Sequence, residues 1–215
     1  MLTLDEALAR LLSAIRPLAE TERVSSFEAR GRVLAEGVRS SLDVPPQDNS
    51  SMDGYALRCA DVTVAGAVLS VAQRIPAGHV GQPLHPGSAA RIFTGGQVPP
   101  GADAVVMQEQ CEAIAGEGLG RVKVNAVPAP GQWIRRRGED VVNGAEVLPR
   151  GTRLTPQALG MAASVGAAAL TVSRRPRVAL FSTGDELVMP GETAPGQMRP
   201  GAIYNSNRFT LRGLI

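Results

Sequence analysis

Asp48-Asn-Ser-Ser-Met-Asp53-Gly-Tyr-Ala56 lies where a helical stretch gives way to a β-rich one, and its reading decides how the chain divides. Pro45 and Pro46 stiffen the approach, Gly54 permits a turn or a close backbone approach, and the Asn, Ser and Asp side chains can bond their own backbone. Such a loop can present the Asp53 carboxylate at the head of a strand over 55–58. Taken alone, it reads first as a capped turn between strands. A calcium loop is excluded. Counted from Asn49, Ser51, Asp53 and Gly54 imitate an EF-hand, but the twelfth position is Ala60, where a bidentate glutamate is required.

From residue 38 onward, short β-prone runs alternate with Gly and Pro, the pattern of an all-β module. Strands are expected over 55–58, 67–75, 89–93, 104–113 and 120–127. Gly116-Glu-Gly118-Leu-Gly120 matches a dinucleotide fingerprint only in part, opens no helix, and reads as a hairpin turn. His79 and His85 have no acidic or cysteine partners at ligand spacing and read as surface residues. Upstream, the Thr3/Glu6 capping box and the stripe Leu4, Ala7, Leu8, Leu11, Leu12, Ile15 predict a helix over 3–16 that Pro17 stops. Ser25 and Glu28 repeat the box spacing and predict a second helix over 26–36, with Phe27 among its apolar contacts. Downstream, Thr155-Pro156 opens a helix running to Gly166, and a strand over 168–172 follows.

Helical segments on both sides of a β module imply an insertion. The expected division is a discontinuous helical N-terminal domain of residues 1–38 plus 142–174, with an inserted all-β domain of residues 39–141. Pro176-Arg-Val-Ala-Leu-Phe181 predicts a strand ending in a loop with Asp185 and Glu186, the place where open α/β sheets bind ligands. A helix capped within Tyr204-Asn-Ser-Asn207 follows. Residues 175–215 therefore read as the start of a truncated α/β domain, and the whole as an α+β multidomain chain.

Composition limits the function classes. Hydrophobic residues make up 44% and charged residues 20%, which is the soluble globular range, and no apolar run is long enough to span a bilayer. The acidic N-terminus is unlike a secretory leader, which points to the cytoplasm. A formal charge of +2 with 3% aromatic residues argues against nucleic acid as partner. Cys59 and Cys111 read as reduced thiols, not as a disulfide or zinc framework.

Two further stretches carry chemistry. Arg91-Ile-Phe-Thr94-Gly95-Gly96 ends a strand in a hydroxyl and two glycines whose backbone N–H groups can cradle an oxyanion, a plain Gly-Gly turn being the alternative. Trp133-Ile-Arg135-Arg-Arg137-Gly-Glu-Asp140 is either a solvated charge run or an anion site in which Arg grips phosphate while Asp holds a cation.

These stretches, together with Gly101-Ala-Asp-Ala-Val-Val-Met-Gln-Glu109 and Val178-Ala-Leu-Phe-Ser-Thr-Gly-Asp-Glu-Leu187, stand in the order seen in the MoeA family. The chain resembles these molybdopterin molybdenumtransferases, which include the E domain of gephyrin, along nearly its whole length. The resemblance implies insertion of molybdate into adenylylated molybdopterin, giving molybdenum cofactor and AMP with Mg²⁺ assisting. It also implies a cytoplasmic homodimer, an α/β pterin-binding domain, and contact with the upstream molybdopterin adenylyltransferase. Carried over motif by motif, Asp53, Thr94, Asp140 and Glu186 are the catalytic positions. Asp53, Asp140 and Glu186 are also the metal ligands, and Gly95, Gly96, Arg137 and Asp185 are the cofactor-binding ones. Three carboxylates can hold Mg²⁺ at a phosphoanhydride. Asn205 stands where many members carry an acid, so that position is not counted among the charged ligands. The family's later Gly-Gly motif and proline-rich molybdate site have no counterpart here, so the chain as it stands is expected not to turn over. The alternative is a non-catalytic dimerisation or scaffold module of the same descent.

Overall fold

The structure, a computed structural model, describes residues 2–16 and 18–215. Its elements begin with α1 (Leu4–Ala14), β1 (Thr21–Ser25), β2 (Val38–Arg39), β3 (Asn49–Ser50), β4 (Gly54–Leu57), β5 (Ala67–Ile75), β6 (Ser88–Ile92) and β7 (Ala104–Met107). They continue with β8 (Cys111–Ile114), β9 (Arg121–Val124), β10 (Ile134–Arg135), β11 (Glu146–Leu148), α2 (Pro156–Ser164), β12 (Ala169–Ser173), β13 (Leu187–Val188), β14 (Ile203–Tyr204) and α3 (Ser206–Leu214). Contacts divide the chain into two units, residues 21–173 and residues 1–20 with 174–215.

In the larger unit β1 pairs antiparallel with β12, from Thr21↔Ser173 to Ser25↔Ala169, and β2 pairs with β11. These ladders tie the two ends of the unit together around Leu34, Val38, Leu154, Ala162, Leu170 and Val172, all buried. Helix α2 forms where the residues dictate: the Thr155 hydroxyl accepts from the Ala158 N–H, Pro156 fills the first turn, and Gly166, at φ 81, ends it. The helix expected over 26–36 does not form. A 3-10 turn at Ser26–Glu28 is all that follows the Ser25 cap, Gly31 takes φ 78, and Leu34 forms a bridge with Val172. Burying Leu34 is worth about 2 kcal/mol, more than a helix this short gains from its own hydrogen bonds. Phe27, expected as a helix contact, is 96% exposed.

Strands β4 to β9 form a six-stranded sheet in the order β7-β4-β6-β5-β9-β8, antiparallel throughout except for β5 beside β6. A parallel pair needs a crossover in place of a hairpin, and the Gly/Pro-rich residues 76–87 supply it, with His79 and His85 on its exposed side. Both faces are covered: Leu57, Leu69, Val106 and Val122 pack on one, Ala56, Ala90, Ile92 and Val105 on the other. That is why Gly54–Leu57 is buried at every position instead of alternating. Strand β5 spans the expected residues, and β4 and β6 begin one residue early. The run expected over 104–113 is broken by a 3-10 turn at Gln108–Gln110, which places β7 and β8 on opposite edges of the sheet. The glycine-rich 116–120 segment joins β8 to β9 as the expected hairpin turn. Cys59 and Cys111 are free and half-buried, and burial pushes both thiols up to about 11.

In the smaller unit α1 begins with the expected capping box. The Thr3 N–H donates to the Glu6 carboxylate at 2.7 Å, and the Glu6 N–H to the Thr3 hydroxyl at 3.3 Å. Ile15 is already extended, so the helix ends two residues early; Arg16 precedes a proline and is kept out of the helical region. Pro17 itself lies outside the described residues. None of the α1 side chains is buried, and Leu4, Leu8, Leu11 and Leu12 leave an apolar face open. The strand expected over 176–181 does not form: among the described residues no neighbouring strand takes its backbone hydrogen bonds, and its residues are mostly exposed. Asp185 and Glu186 consequently precede a strand, β13, which pairs parallel with β14. Helix α3 starts at Ser206, with buried Asn205 as its cap: Oδ1 accepts from the Arg208 N–H at 3.1 Å. Among the described residues, no helix is long and apolar enough to cross a membrane.

Candidate functional site

The Asp48–Gly54 loop is held from two sides. On one, β3 pairs with β10, setting Ser50 opposite Ile134 and Asn49 opposite Arg135. On the other, the Ser50 N–H donates to Gly96 O at 2.9 Å and the Gly95 N–H to Ser50 O at 2.8 Å. Three motifs that lie far apart in sequence therefore meet in one place. Trp133, at φ 54, takes a conformation that is uncommon for a bulky residue; its carbonyl accepts from both the N–H and the hydroxyl of Ser51 at 3.0 Å. Strain of this kind is retained where surrounding bonds enforce it, and here they fix the exit of the loop.

Asp53 and Thr94 are in direct contact. Asp53 Oδ1 accepts from the Thr94 N–H at 2.8 Å and from the Thr94 hydroxyl at 2.7 Å. Those two bonds, the amide's first, hold the Asp53 carboxyl below its ordinary 3.8. This alters the sequence-based picture of the Thr94-Gly95-Gly96 corner as an open oxyanion cradle. The Thr94 N–H faces Asp53, the Gly95 N–H faces Ser50, and the Gly96 N–H donates to Phe93 O at 2.8 Å. Gly96 is needed for packing, since a Cβ there would stand 2.8 Å from Ile75 O.

The arginine run is ion-paired within the chain. Arg135 donates to Asp140 at 2.5 Å, Arg136 to Asp48 at 2.6 Å, and Arg137 Nε to Asp43 at 2.5 Å. The Arg137 N–H also donates to Asp48 and the Asn143 N–H to Asp43, 2.8 and 2.7 Å away. Asp43 and Asp48, which the sequence reading did not count as site residues, thus organise the arginines. Their signal was two acids, Asp43 and Asp48, in the stretch leading into the Asp53 loop. Arg137 is 60% exposed at its side chain, and its two terminal nitrogens have no partner among the described residues.

Of the carboxylates gathered here, Asp43, Asp48, Glu139 and Asp140 each bond an arginine. Among the described residues Asp53 forms no ion pair, and its Oδ2 has no hydrogen-bond partner. Glu186 and Asp185 belong to the other unit and are exposed. The described residues contain no group of three or more His, Cys, Asp or Glu positioned to hold a metal ion. Beside the loop opens a cavity of about 200 Å³ lined by Gln47, Asn49, His79, Gly95 and Gln97, and the buried Asn49 Oδ1 has no hydrogen-bond partner among the described residues. A larger cavity, about 680 Å³, lies between Phe27 and α2 but carries no titratable side chain.

The electrostatics predict an acid transition. Asn143 and Arg137 lower the Asp43 carboxyl; for Asp48 burial opposes, but the Arg137 amide and the Arg136 guanidinium outweigh it. Carboxyls lowered in the folded state add stability that is complete above the ordinary 3.8 and lost as pH falls through the folded values. Trp133, the single tryptophan, reports on this junction. Its fluorescence is expected to stay flat from pH 7 to about 4 and to change below that. A transition centred near pH 6 would contradict the assignment of these bonds.

A two-ended core stitched by β1 and β12, a six-stranded sheet inserted in it, and a carboxylate loop fastened by two other motifs define an N-terminal region of MoeA type. The family pattern described as "MoeA N-terminal region (domain I and II)" matches residues 2–166, and the chain belongs to the MoeA family. It is 42% identical to the molybdopterin molybdenumtransferase of Haemophilus influenzae over 100% of this chain and 52% of that protein. It is 42% identical to the protein of the same name from Nostoc sp. over 91% of this chain and 44% of that one. The crystal structure of the molybdopterin biosynthesis moeA protein from Pyrococcus horikoshii OT3 superposes with a TM-score of 0.87 at 38% identity, covering 98% of this chain and 55% of that one. The chain spans about half the length of the curated relatives it matches.

Proposed function

We propose that the chain works in molybdenum cofactor synthesis, as the N-terminal part of a cytoplasmic enzyme that inserts molybdate into adenylylated molybdopterin and releases AMP. The observation that carries this reading is Asp53: among the described residues it is anchored through one oxygen by Thr94 and unpaired at the other, whereas Asp43, Asp48 and Asp140 are each matched with an arginine. This donor fits Mg²⁺, which is typically held by one or two carboxylates plus substrate phosphates. Bound there, the ion would act as a Lewis acid and template at the phosphoanhydride. Asp53 supplies the oxygen, Thr94 fixes its direction, and the terminal nitrogens of Arg137 take substrate phosphate. Asp140 would serve as a second acidic ligand once Arg135 releases it, and Asp185 and Glu186, which belong to the other unit, are proposed as cofactor and metal positions on the resemblance alone.

Residues 1–38 plus 142–174 form the discontinuous domain in this reading, 39–141 the inserted one, and 175–215 the start of the α/β domain. The uncovered apolar face of α1 supports a homodimer, and contact with the adenylyltransferase that makes the substrate belongs to the same proposal. The test is a molybdenum-insertion assay with adenylylated molybdopterin, molybdate and Mg²⁺. The protein encoded by the full reading frame is expected to form cofactor, and the 215-residue chain alone is not. No cofactor from the full protein would overturn the reading.

A further inference from the structure

A second arginine trio lies on the six-stranded sheet, and unlike the Arg135–Arg137 run it is not consumed by internal acids. Arg74, Arg91 and Arg121 line a basin of about 420 Å³ together with Tyr55, Val71, Ile114 and Leu119. Among the described residues no carboxylate comes within 4.0 Å of these three guanidinium groups. The carboxylate of the adjoining hairpin, Glu117, lines a neighbouring depression that shares Val71, Leu119 and Arg121.

The sheet is built to bring these charges together. Tyr55 pairs with Arg91 across β4 and β6, and Arg74 pairs with Arg91 across β5 and β6. On β6, Ala89 and Arg91 share a face. On β5 their partners Val71 and Arg74 are three residues apart, which would normally set them on opposite faces, but a bulge between Val71 and Gln73 restores the phase. Arg91 donates to Gly54 O at 2.8 Å, Ile92 O at 3.2 Å and Gln108 Oε1 at 2.7 Å, which fixes its guanidinium in place. Its guanidinium carbon lies 4.4 Å from the Phe93 ring centre, and that of Arg74 lies 4.7 Å from the same ring. Both guanidinium groups thus lie against a single ring with no carboxylate beside them among the described residues, and guanidinium forks suit phosphate or carboxylate oxygens.

We propose that this basin binds a small organic anion, a phosphate monoester or a carboxylate. Its charge lies among Arg74, Arg91 and Arg121, and its apolar part rests on Val71, Ile114 and Leu119. The test is two-dimensional NMR titration of the 215-residue chain at low salt with phenyl phosphate in one arm and benzoate in the other. Saturable binding with Kd of about 1 mM or tighter is expected, with shifts at the amides of Val71, Leu119 and Arg121. The arm with the lower Kd identifies the anion. The exposed pair R74Q/R121Q is expected to weaken binding about tenfold or more, while R150Q/R153Q, which removes the same charge elsewhere, leaves it unchanged. Absence of saturation in both arms, shifts confined to other residues, or equal weakening by the two pairs would overturn the proposal.

Discussion

Gly54→Ala is expected to lower the melting temperature of the chain by about 10 °C or more, a loss of about 3 kcal/mol. Gly54 does not owe its place to a left-handed backbone; what matters is space. A Cβ built there would stand 1.9 Å from Val106 O and 2.8 Å from Val106 C, backbone atoms of the next strand that no rotamer change can move aside. Relief requires β4 and β7 to separate. That would give up ladder bonds between Gly54 and Met107 or Tyr55 and Val106 and expose side chains that are now fully buried. Gly160→Ala is the informative comparison. It is exposed inside α2 with nothing within 4 Å of the added Cβ, so alanine's better helix propensity is expected to raise stability by about 0.5–1 kcal/mol. Thermal denaturation followed by circular dichroism checks both. A Gly54→Ala melt within about 2 °C of the parent would show that the β4–β7 approach is not as tight as described.

The fold was legible where local chemistry and tertiary packing agree. Thr155, Pro156 and Gly166 bracket α2 with caps that work in any surroundings, and β5 declares itself by a nine-residue β-prone run between glycine and proline. It was illegible where a distant partner decides. The Ser25/Glu28 spacing promised a helix, yet Leu34 gains more by pairing with Val172 than by continuing a turn. Residues 176–181 have strand character but, among the described residues, no neighbouring strand to receive their hydrogen bonds. The site divides in the same way. Asp53, Thr94 and the arginine run stand out as small polar or charged residues at strand ends. Their partners do not, because Thr94 bonds an acid 41 residues away, and Arg136 and Arg137 bond acids 88 and 94 residues away. A single sequence suggests that such groups bind something; it does not say that the something is another part of the same chain.

Asp53→Ala is expected to slow molybdenum insertion by the full-length protein by about 100-fold or more, the scale lost when a charge aimed at a reacting phosphate or its cation is removed. The alanine also strands two Thr94 donors, so it mixes a loss of charge with a loss of order. Asp53→Asn separates them. Its carbonyl oxygen can accept both bonds that now reach Oδ1 at 2.8 and 2.7 Å, leaving the loop in place with no negative charge at Oδ2. If the carboxylate acts on a cation, the Asn variant loses nearly as much rate as Ala while its melting temperature stays close to the parent's, and it needs more Mg²⁺ for half-maximal rate. Thr94→Val removes the hydroxyl but keeps the backbone N–H, so about a tenfold loss is expected, the scale of a positioning residue. The same variant raises the Asp53 carboxyl toward its ordinary 3.8 without reaching neutral pH, so the rate should show no added pH dependence between about pH 6 and 8. Were Asp53→Asn to keep both the parent rate and the parent Mg²⁺ response, Asp53 would be a buttress for Thr94 and the candidate site would lie elsewhere.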